Sequence, residues 1–374
     1  MTLFGTIDTS LYEEQIREKV DTLAAEMRNI LSIPEPEVYT SDPVHYRMRA
    51  EFLIFHEGER LRFCMTDVSD GEKKRVFIDH FDPGSELMNF FMPLLADLIS
   101  GNPILQKRLF DIDFLTSLSG QTLITLTYHK KLTGEWESQA RDLLMKLRET
   151  GKHVNIIGRA AKQKIVMDED FVWETLKVNG KEFHYQQIDN SFTQPNGHVA
   201  EKMLSWVQNV TRGMPGDLLE LYCGNGNFSI ALAENFEKVL ATEISKTSVK
   251  SAQLNIARNN VANLKILRMS AEELTEAMNK VRSFRRLEES GVDLDSYNCH
   301  TVLVDPPRAG LDLETLKMIQ KYEHIVYVSC NPVTLMDNLR MLAETHRVEK
   351  LAFFDQFPYT PHVETVVLLS RCKA

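Results

Sequence analysis

The 374-residue chain predicts an α/β protein whose C-terminal half is a doubly wound, mostly parallel sheet and whose N-terminal half is an α+β fold on an antiparallel sheet. Three observations carry that expectation. After about residue 198, apolar strand-like runs alternate with helix-like stretches. From residue 46, short β-rich runs follow one another with few helices between them. Between the two textures, Asn179-Gly180 stands between Leu176-Lys177-Val178 and Lys181-Glu182-Phe183, a strong hairpin signal. A chain of this length is expected to form two domains, each with its own core, and the hairpin puts the boundary at 1–184 and 185–374.

The first helix is expected to open on the capping box Ser10-Leu11-Tyr12-Glu13, because Ile16, Val20, Leu23, Met27, Ile30 and Leu31 follow at helical spacing; Pro34 and Pro36 end it. Strands are expected at Tyr46 to Phe55, Leu61 to Met65, Arg75 to Ile78, Thr122 to Tyr128 and Val154 to Ile157, with helices over 86–99 and 136–149. In the second half, strands are expected at Asp217 to Tyr222, Lys238 to Thr242, Leu264 to Arg268, Thr301 to Val304 and His324 to Val328, with helices starting at Phe228, Lys246 and Ala271. The charged stretch Val281 to Asn298 lacks apolar periodicity and reads as a surface excursion. Such a sheet gathers ligands at the carboxyl ends of its strands.

Composition narrows the function classes. Hydrophobic residues make up 43% and charged residues 26% of the chain, without a long apolar run or an export leader, so a cytoplasmic protein without a membrane partner is expected. The five cysteines, at 64, 223, 299, 330 and 372, form no CxxC pair and no Cys/His cluster, which leaves a disulfide framework, a metal or an iron-sulfur cluster without support. The net charge of −10 argues against nonspecific adhesion to nucleic acid. Residues 101–164 nevertheless carry eleven Lys and Arg against six acids, a local +5 that leaves −15 for the rest. A basic face on an acidic protein suits a selective RNA contact; an ordinary solvated surface is the alternative.

Three motifs define a ligand site. Leu218 to Ser229 is an apolar strand running through Cys223-Gly224-Asn225-Gly226 into a helix, where glycines let backbone approach a ligand closely. A dinucleotide site would normally add a third glycine where Ser229 or Ile230 stands. Glu243 ends the next apolar run nineteen residues after Gly224, where a carboxylate can accept hydrogen bonds from both ribose hydroxyls. Val302 to Arg308 ends the fourth strand in Asp305-Pro306-Pro307, a rigid turn that fixes an acid at the mouth of the sheet. Together these spacings look like a class I methyltransferase that binds S-adenosylmethionine. Cys223 is most simply a small buried residue.

Two further residues point to chemistry. Cys330 follows the apolar strand 324–328 at the same sheet edge, before Asn331-Pro332, where the chain leaves the core and a thiol can face a cleft. Glu364 precedes a β-rich final run; a solvated glutamate is the ordinary reading of that position.

With these residues in hand, the chain resembles the bacterial tRNA (uracil-5-)-methyltransferases over nearly its whole length. The resemblance rests on His45 to Phe52, Ser191-Phe192-Thr193-Gln194-Pro195-Asn196, the turn at 220–229, Thr242-Glu243, Val304 to Arg308, Ser329 to Pro332 and Asp355 to Glu364. It implies a Rossmann-like class I methyltransferase domain over 185–374, an N-terminal helix and RNA-binding domain over 1–184, and tRNA as partner through the uridine at position 54 of the T-loop. It also implies that Gln194, Tyr222, Asn227, Glu243 and Asp305 contact S-adenosylmethionine, that Cys330 is the nucleophile and that Glu364 is the base. Uracil C5 is a weak nucleophile until a thiolate adds to C6, which explains why a cysteine and a base are both needed.

Related enzymes acting on ribosomal RNA carry an added barrel and a four-cysteine cluster; Cys64 is the sole cysteine before Cys223 here, which favours tRNA. RNA cytosine-5 methyltransferases place their nucleophile in the Asp-Pro-Pro turn, which here holds no cysteine. A T-loop base must be turned out before a thiol can reach it. Phe110 beside Lys107 and Arg108, and His129 beside Lys130 and Lys131, are the candidates for stacking on displaced bases; core packing and strand capping are their alternatives. Arg47, Arg49 and Arg159 are candidates for phosphate contacts, with salt bridging as the alternative. A monomer is expected. Two other functions stay open at this point, 5-methyluridine formation in ribosomal RNA and a mainly tRNA-binding or tRNA-folding role.

Overall fold

An amphipathic helix joins whichever core covers its apolar face, and this decides the domain organisation. The computed structural model describes residues 5–67 and 71–372. Its first helix, α1 (Tyr12–Arg28), buries Ile16, Leu23, Ala24 and Met27. The last three enter the core of the C-terminal unit. The fully buried carboxylate of Asp355 fastens the same helix, accepting hydrogen bonds from Tyr12 Oη (2.9 Å), Gln15 Nε2 (2.9 Å) and Lys19 Nζ (2.8 Å).

Two compact units result. The first comprises the described residues up to Leu11, Asp42–Thr175 and Gln187–Gly197, and the second comprises Tyr12–Ser41, Leu176–Gln186 and the chain from His198 onward. The division at 184/185 is therefore corrected: α1 belongs to the second unit, as does the hairpin tip, where Asn179 Nδ2 donates to Gln208 Oε1 at 2.8 Å. The expected capping box does not form. Ser10 donates its hydroxyl to Asp8 Oδ1 (2.6 Å), and Asp8 caps a 3-10 turn over Thr9–Leu11 that starts the helical path one turn earlier.

After β1 (Glu37–Tyr39), the first unit builds a seven-stranded sheet from β2 (Arg49–Glu57), β3 (Arg60–Asp67), β4 (Lys74–Phe77), β5 (Leu109–Thr116), β6 (Gln121–Tyr128), β7 (His153–Ala160) and β8 (Gln163–Val166). The order is β4-β3-β2-β5-β6-β7-β8. Its pairs are antiparallel except β6 with β7, because α4 (Gly134–Arg148) makes the crossover between them. With α2 (Glu86–Ile99) and α3 (Pro103–Gln106), α4 lies on this core, which includes Phe52, Phe91, Phe114 and Trp136. A Cβ on Gly158 of β7 would stand 2.1 Å from the Trp136 ring, so only glycine admits that packing.

The hairpin of β9 (Phe171–Val178) and β10 (Lys181–Ile188) turns at Asn179 and Gly180, both at positive φ (48° and 83°), as a tight two-residue turn requires. Helix α5 (Gly197–Val210) then leads into the alternation β11 (Asp217–Leu221), α6 (Asn227–Leu232), β12 (Val239–Thr242), α7 (Lys246–Arg258), β13 (Leu264–Leu267), α8 (Ala271–Met278), α9 (Arg285–Ser290), β14 (Cys299–Val304), α10 (Leu313–Ile319), β15 (His324–Ser329) and α11 (Pro332–Leu342). The chain finishes with β16 (His346–Phe354) and β17 (Glu364–Arg371).

The eight-stranded order is β1-β16-β17-β15-β14-β11-β12-β13. β12 and β13 extend the sheet to one side of β11, and β14 and β15 to the other, which puts the topological switch between β11 and β14. Only β17 runs antiparallel to its neighbours. α9 lies inside the expected surface excursion, and all of its residues are at least partly exposed. Among the described residues, no helix is long and apolar enough to cross a membrane, and no group of three or more His, Cys, Asp or Glu side chains could hold a metal ion.

Candidate active site

β11 is buried along its whole length, as a central parallel strand covered on both faces must be, and it delivers the glycine turn to the carboxyl edge of the sheet. Tyr222, Gly224 and Gly226 all adopt positive φ (62°, 56° and 83°). Glu243 braces the turn: its carboxylate accepts the Gly224 N–H at 3.0 Å and the Ser245 N–H at 2.6 Å. From behind, Asn255 of α7 donates to the Asn225 carbonyl (3.0 Å) and accepts the Gln186 N–H (2.7 Å), while Asn225 Nδ2 donates to the Gln186 carbonyl (3.1 Å). Tyr185 Oη donates to the Asn227 carbonyl at 2.9 Å. The backbone of the turn is thus held before any ligand arrives.

Buried Glu220 of β11 accepts the Ser229 hydroxyl of α6. Burial pushes its carboxyl up to about 8, against the opposing pull of that hydroxyl, with Asp305 and Glu243 adding to the rise. A Cβ on Gly224 would meet nothing within 4 Å among the described residues, so space is open over the turn. That space, the Glu243 carboxylate and the half-buried Tyr222, Asn227 and Asp305 fit a ribose-bearing, cationic ligand such as S-adenosylmethionine. Gln194 lies in the first unit, between β10 and α5.

Strand register assembles the chemical group. Leu221 pairs with Thr242 and with Val304, and Val304 pairs with Tyr327, so Tyr222, Glu243 and Asp305 leave the sheet along one edge with the end of β15. In the antiparallel pair of β15 and β17 the ladder ends where Ser329 faces Thr365, so Cys330, the residue after β15, and Glu364, the first residue of β17, lie at the same end of the pair. Cys330 is half-buried, and its thiol is raised by burial and by the charges of Glu364 and Asp305, while Arg308 pulls it back. Glu364 is buried and pushed up to about 8, chiefly by loss of solvent, then by Asp305 and against the pull of Arg308. Burial alone lifts Asp305 to about 7. Cys223 is a buried thiol raised well above its ordinary value by burial, then by Glu220 and Glu243, and behaves as packing.

In the first unit, Phe110 is 41% exposed and stacks on His129, with ring centroids 4.1 Å apart and planes 19° from parallel. A register shift between Leu109 and Asp111 leaves Phe110 outside the β5–β6 ladder, which is why an apolar residue turns outward here. The phosphate candidates are tied down. Arg159 pairs with buried Asp189. Arg49 pairs with Asp113 at 3.1 Å and donates to the Ser191 carbonyl at 2.9 Å. Arg47 Nε donates to the Arg49 carbonyl at 2.8 Å, and burial lowers its pKa.

Sequence reasoning missed the supports: Glu220 with Ser229, Asn225 and Asn255 with Gln186, and Asn331, whose Nδ2 donates to the Arg308 carbonyl at 2.8 Å. Their carboxylates and amides carry no period or spacing, and only the turn that they brace was visible.

The chain matches the tRNA (Uracil-5-)-methyltransferase family over residues 11–372. It is 55% identical over 365 residues to a tRNA/tmRNA (uracil-C(5))-methyltransferase of Vibrio parahaemolyticus, covering 98% of each chain. With its counterpart of the same name in Shewanella pealeana it shares 56% identity over 367 residues, 98% of this chain and 99% of the other. Its fold is similar to that of the Pyrococcus abyssi tRNA (uracil-54, C5)-methyltransferase crystallised with S-adenosyl-L-homocysteine, with a TM-score of 0.71 at 22% identity over 96% of this chain and 83% of that one. On these matches, the chain belongs to the tRNA (uracil-5-)-methyltransferase family.

Proposed function

We propose that the protein is an S-adenosylmethionine-dependent tRNA uracil-C5 methyltransferase that acts through a covalent Cys330 adduct on the uridine at position 54 of the T-loop. The observation that supports the mechanism is that Cys330, directly after β15, and Glu364, at the start of β17, come to the same end of that strand pair, where the charges of Glu364 and Asp305 act on the thiol. S-adenosylmethionine, when bound, supplies the electrophilic methyl group. Within the second unit Glu243 would hold its ribose hydroxyls, with Tyr222, Asn227 and Asp305 completing that part of the site; Gln194 of the first unit is a further contact implied by the family resemblance.

The Cys330 thiolate adds to C6 of uracil, and the electron pair of the C5–C6 double bond becomes available at C5, which takes the methyl group. Glu364 then accepts the C5 proton. The electrons of that C–H bond restore the double bond, and the pair of the C6–S bond returns to Cys330. A carboxyl lifted to about 8 suits this task, because a base poised near the working pH transfers protons most effectively. The remaining contribution is positioning of the base and the methyl donor.

Phe110 and His129 stack on bases displaced from the T-loop, within the stretch of local +5 charge. Arg47 and Arg49 have a secondary part, since both guanidinium groups are engaged within their own unit. The protein works as a cytoplasmic monomer. The relatives' names also cover tmRNA, and a T-loop-like fold there is a second substrate.

The deciding experiment incubates the protein with labelled S-adenosylmethionine and unmodified tRNA transcript and analyses the nucleosides. Label in 5-methyluridine from T-loop position 54 is expected. Transfer to ribosomal RNA alone would overturn the substrate, and transfer to neither would leave a tRNA-folding role as the better reading.

A further inference from the structure

The parallel ladder of β14 and β15 ends at the pair of Val304 and Tyr327, so Asp305 and Cys330 both lie beyond it. Side chains of α11 take over the link between the two strand ends. Asn331, the residue after Cys330, divides its amide between two neighbours. Its Oδ1 caps α11 by accepting the Val333 N–H at 3.2 Å, and its Nδ2 donates to the Arg308 carbonyl at 2.8 Å. One turn along the helix, Thr334 Oγ1 reaches the same carbonyl at 3.2 Å. One turn further, Asn338 Oδ1 accepts the Leu311 N–H at 2.9 Å and the Tyr327 hydroxyl at 2.6 Å. The chain between is docked closely: Gly310 has a φ of 76°, and a Cβ there would stand 3.0 Å from Asn338 Oδ1 and 3.1 Å from Thr334 Cβ. Behind Cys330, the Ser329 hydroxyl accepts the Asn331 N–H at 3.2 Å and donates to the Asn331 carbonyl at 3.1 Å. That pair closes a short ring around the Cys330 backbone, so the place of Cys330 follows the place of Asn331.

Resting on the covalent reading above, we propose that Asn331 is a positioning residue for the reaction: the bond from its Nδ2 to the Arg308 carbonyl sets the place of Cys330 relative to the Asp305 turn. Its Oδ1 has the separate task of starting α11. Asn331 transfers no proton and adds no step. The physical need lies in the geometry of the reaction, because sulfur must approach C6 while C5 stands in line with the methyl donor. A misplacement of about 1 Å can cost about a hundredfold in such a step. Strand pairing cannot supply that precision here, since the ladder stops short of both residues. Thr334 backs the same carbonyl with a longer bond, and Asn338 holds the far end of the loop.

The two atoms of one amide give two separable readouts, kcat for methyl transfer to a tRNA transcript and Tm. Asn331→Ser keeps a capping oxygen, which serves about as well as that of asparagine, but its shorter side chain does not span to Arg308. In this variant kcat is expected to fall about tenfold or more with KM for tRNA changed less than about twofold. Its Tm should stay within about two degrees of the unsubstituted protein. Asn331→Ala removes the cap as well, and should match the serine variant in kcat while melting lower. An undiminished kcat in Asn331→Ser, or a fall that only tracks loss of folded protein at the assay temperature, would overturn the proposal. Thr334→Val keeps the shape of its side chain and removes the second donor, which decides the question if neither Asn331 variant folds. It is expected to lower kcat about threefold, and no fall in it would count against the proposal in the same way. Cys330→Ala, assayed beside them, keeps the two readings apart. Methylation by that variant would overturn the covalent reading and this proposal with it, whereas its silence beside an undiminished Asn331→Ser would overturn the positioning role alone.

Discussion

Ser329 and Thr365 face each other as the last pair of the antiparallel β15–β17 ladder, which leaves Cys330, just after β15, and Glu364, at the start of β17, at the same end of it. The register itself is set by the continuous apolar run that both strands bury, where a slip of one residue would turn each side chain to the other face. Core packing thus fixes the strand ends that carry the proposed nucleophile and base. Cys330→Ala is expected to abolish turnover, by a factor of about a thousand or more, while S-adenosylmethionine still binds. Parallel measurement of methyl transfer and of cofactor affinity by calorimetry checks this, and normal turnover would sink the covalent mechanism.

Glu364→Gln keeps the shape of the side chain and removes the proposed base. Methyl transfer to the C6 adduct should proceed and release should stall, so a protein–RNA adduct carrying the methyl group accumulates on a denaturing gel. Turnover is expected to fall about a hundredfold or more. Release of methylated RNA at the ordinary rate would exclude Glu364 as the base.

Activity should rise with pH. Glu364 is lifted to about 8 and Asp305 to about 7, and the Cys330 thiol also stands above its ordinary value, so raising the pH ionises both base and nucleophile. kcat/KM is expected to climb about tenfold between pH 6.5 and 8, with apparent titrations that belong to the coupled group as a whole. Stability runs the other way. A carboxyl whose folded pKa exceeds its unfolded value binds more protons when folded, so Glu364 and Glu220, each at about 8, lose stabilisation as pH rises from the ordinary glutamate range through about 8. Glu220→Gln should flatten the fall of Tm between pH 5 and 8; an unchanged slope would show that Glu220 is ionised in the native state.

Phe110 owes its exposure to the register shift that takes it out of the ladder, and it gains nothing for the core in return. Phe110→Ala is accordingly expected to leave Tm within about a degree while raising the KM for tRNA by about tenfold, as loss of one base stack does. Calorimetric affinity for S-adenosylmethionine should not move. A drop in Tm with unchanged KM would return Phe110 to a packing role.

Most of the C-terminal alternation was legible because parallel strands buried on both faces read as unbroken apolar runs, as Val239–Thr242 and Thr301–Val304 do. β16 escaped because Arg347, Glu349 and Lys350 interrupt its apolar residues, and only the pairing with β17 makes the segment a strand. α11 escaped because Pro332 and Asn331 read as loop signals, although proline at a helix start is well placed. Of the site, the turn glycines, Glu243, Asp305 and Cys330 carried a positional signature at strand ends. The turn after Asp305 stood in plain view, yet the grip of Asn331 and Thr334 on its Arg308 carbonyl depends on α11 crossing it, which no local pattern encodes.

The same limit applies to α1, whose apolar stripe showed a helix but not its partner. Asp355, fully buried, receives Tyr12, Gln15 and Lys19 from three positions along that stripe. Removing one charge of a buried pair leaves the other uncompensated and typically costs about 3–5 kcal/mol. Lys19→Met is therefore expected to destabilise the protein by an amount in that range, less where Tyr12 and Gln15 continue to solvate the carboxylate. Asp355→Asn in addition should recover part of the loss, because the amide carries no charge to strand. Denaturant melts of the two single variants and the double variant give the coupling directly, and additive effects would show that Lys19 and Asp355 act independently.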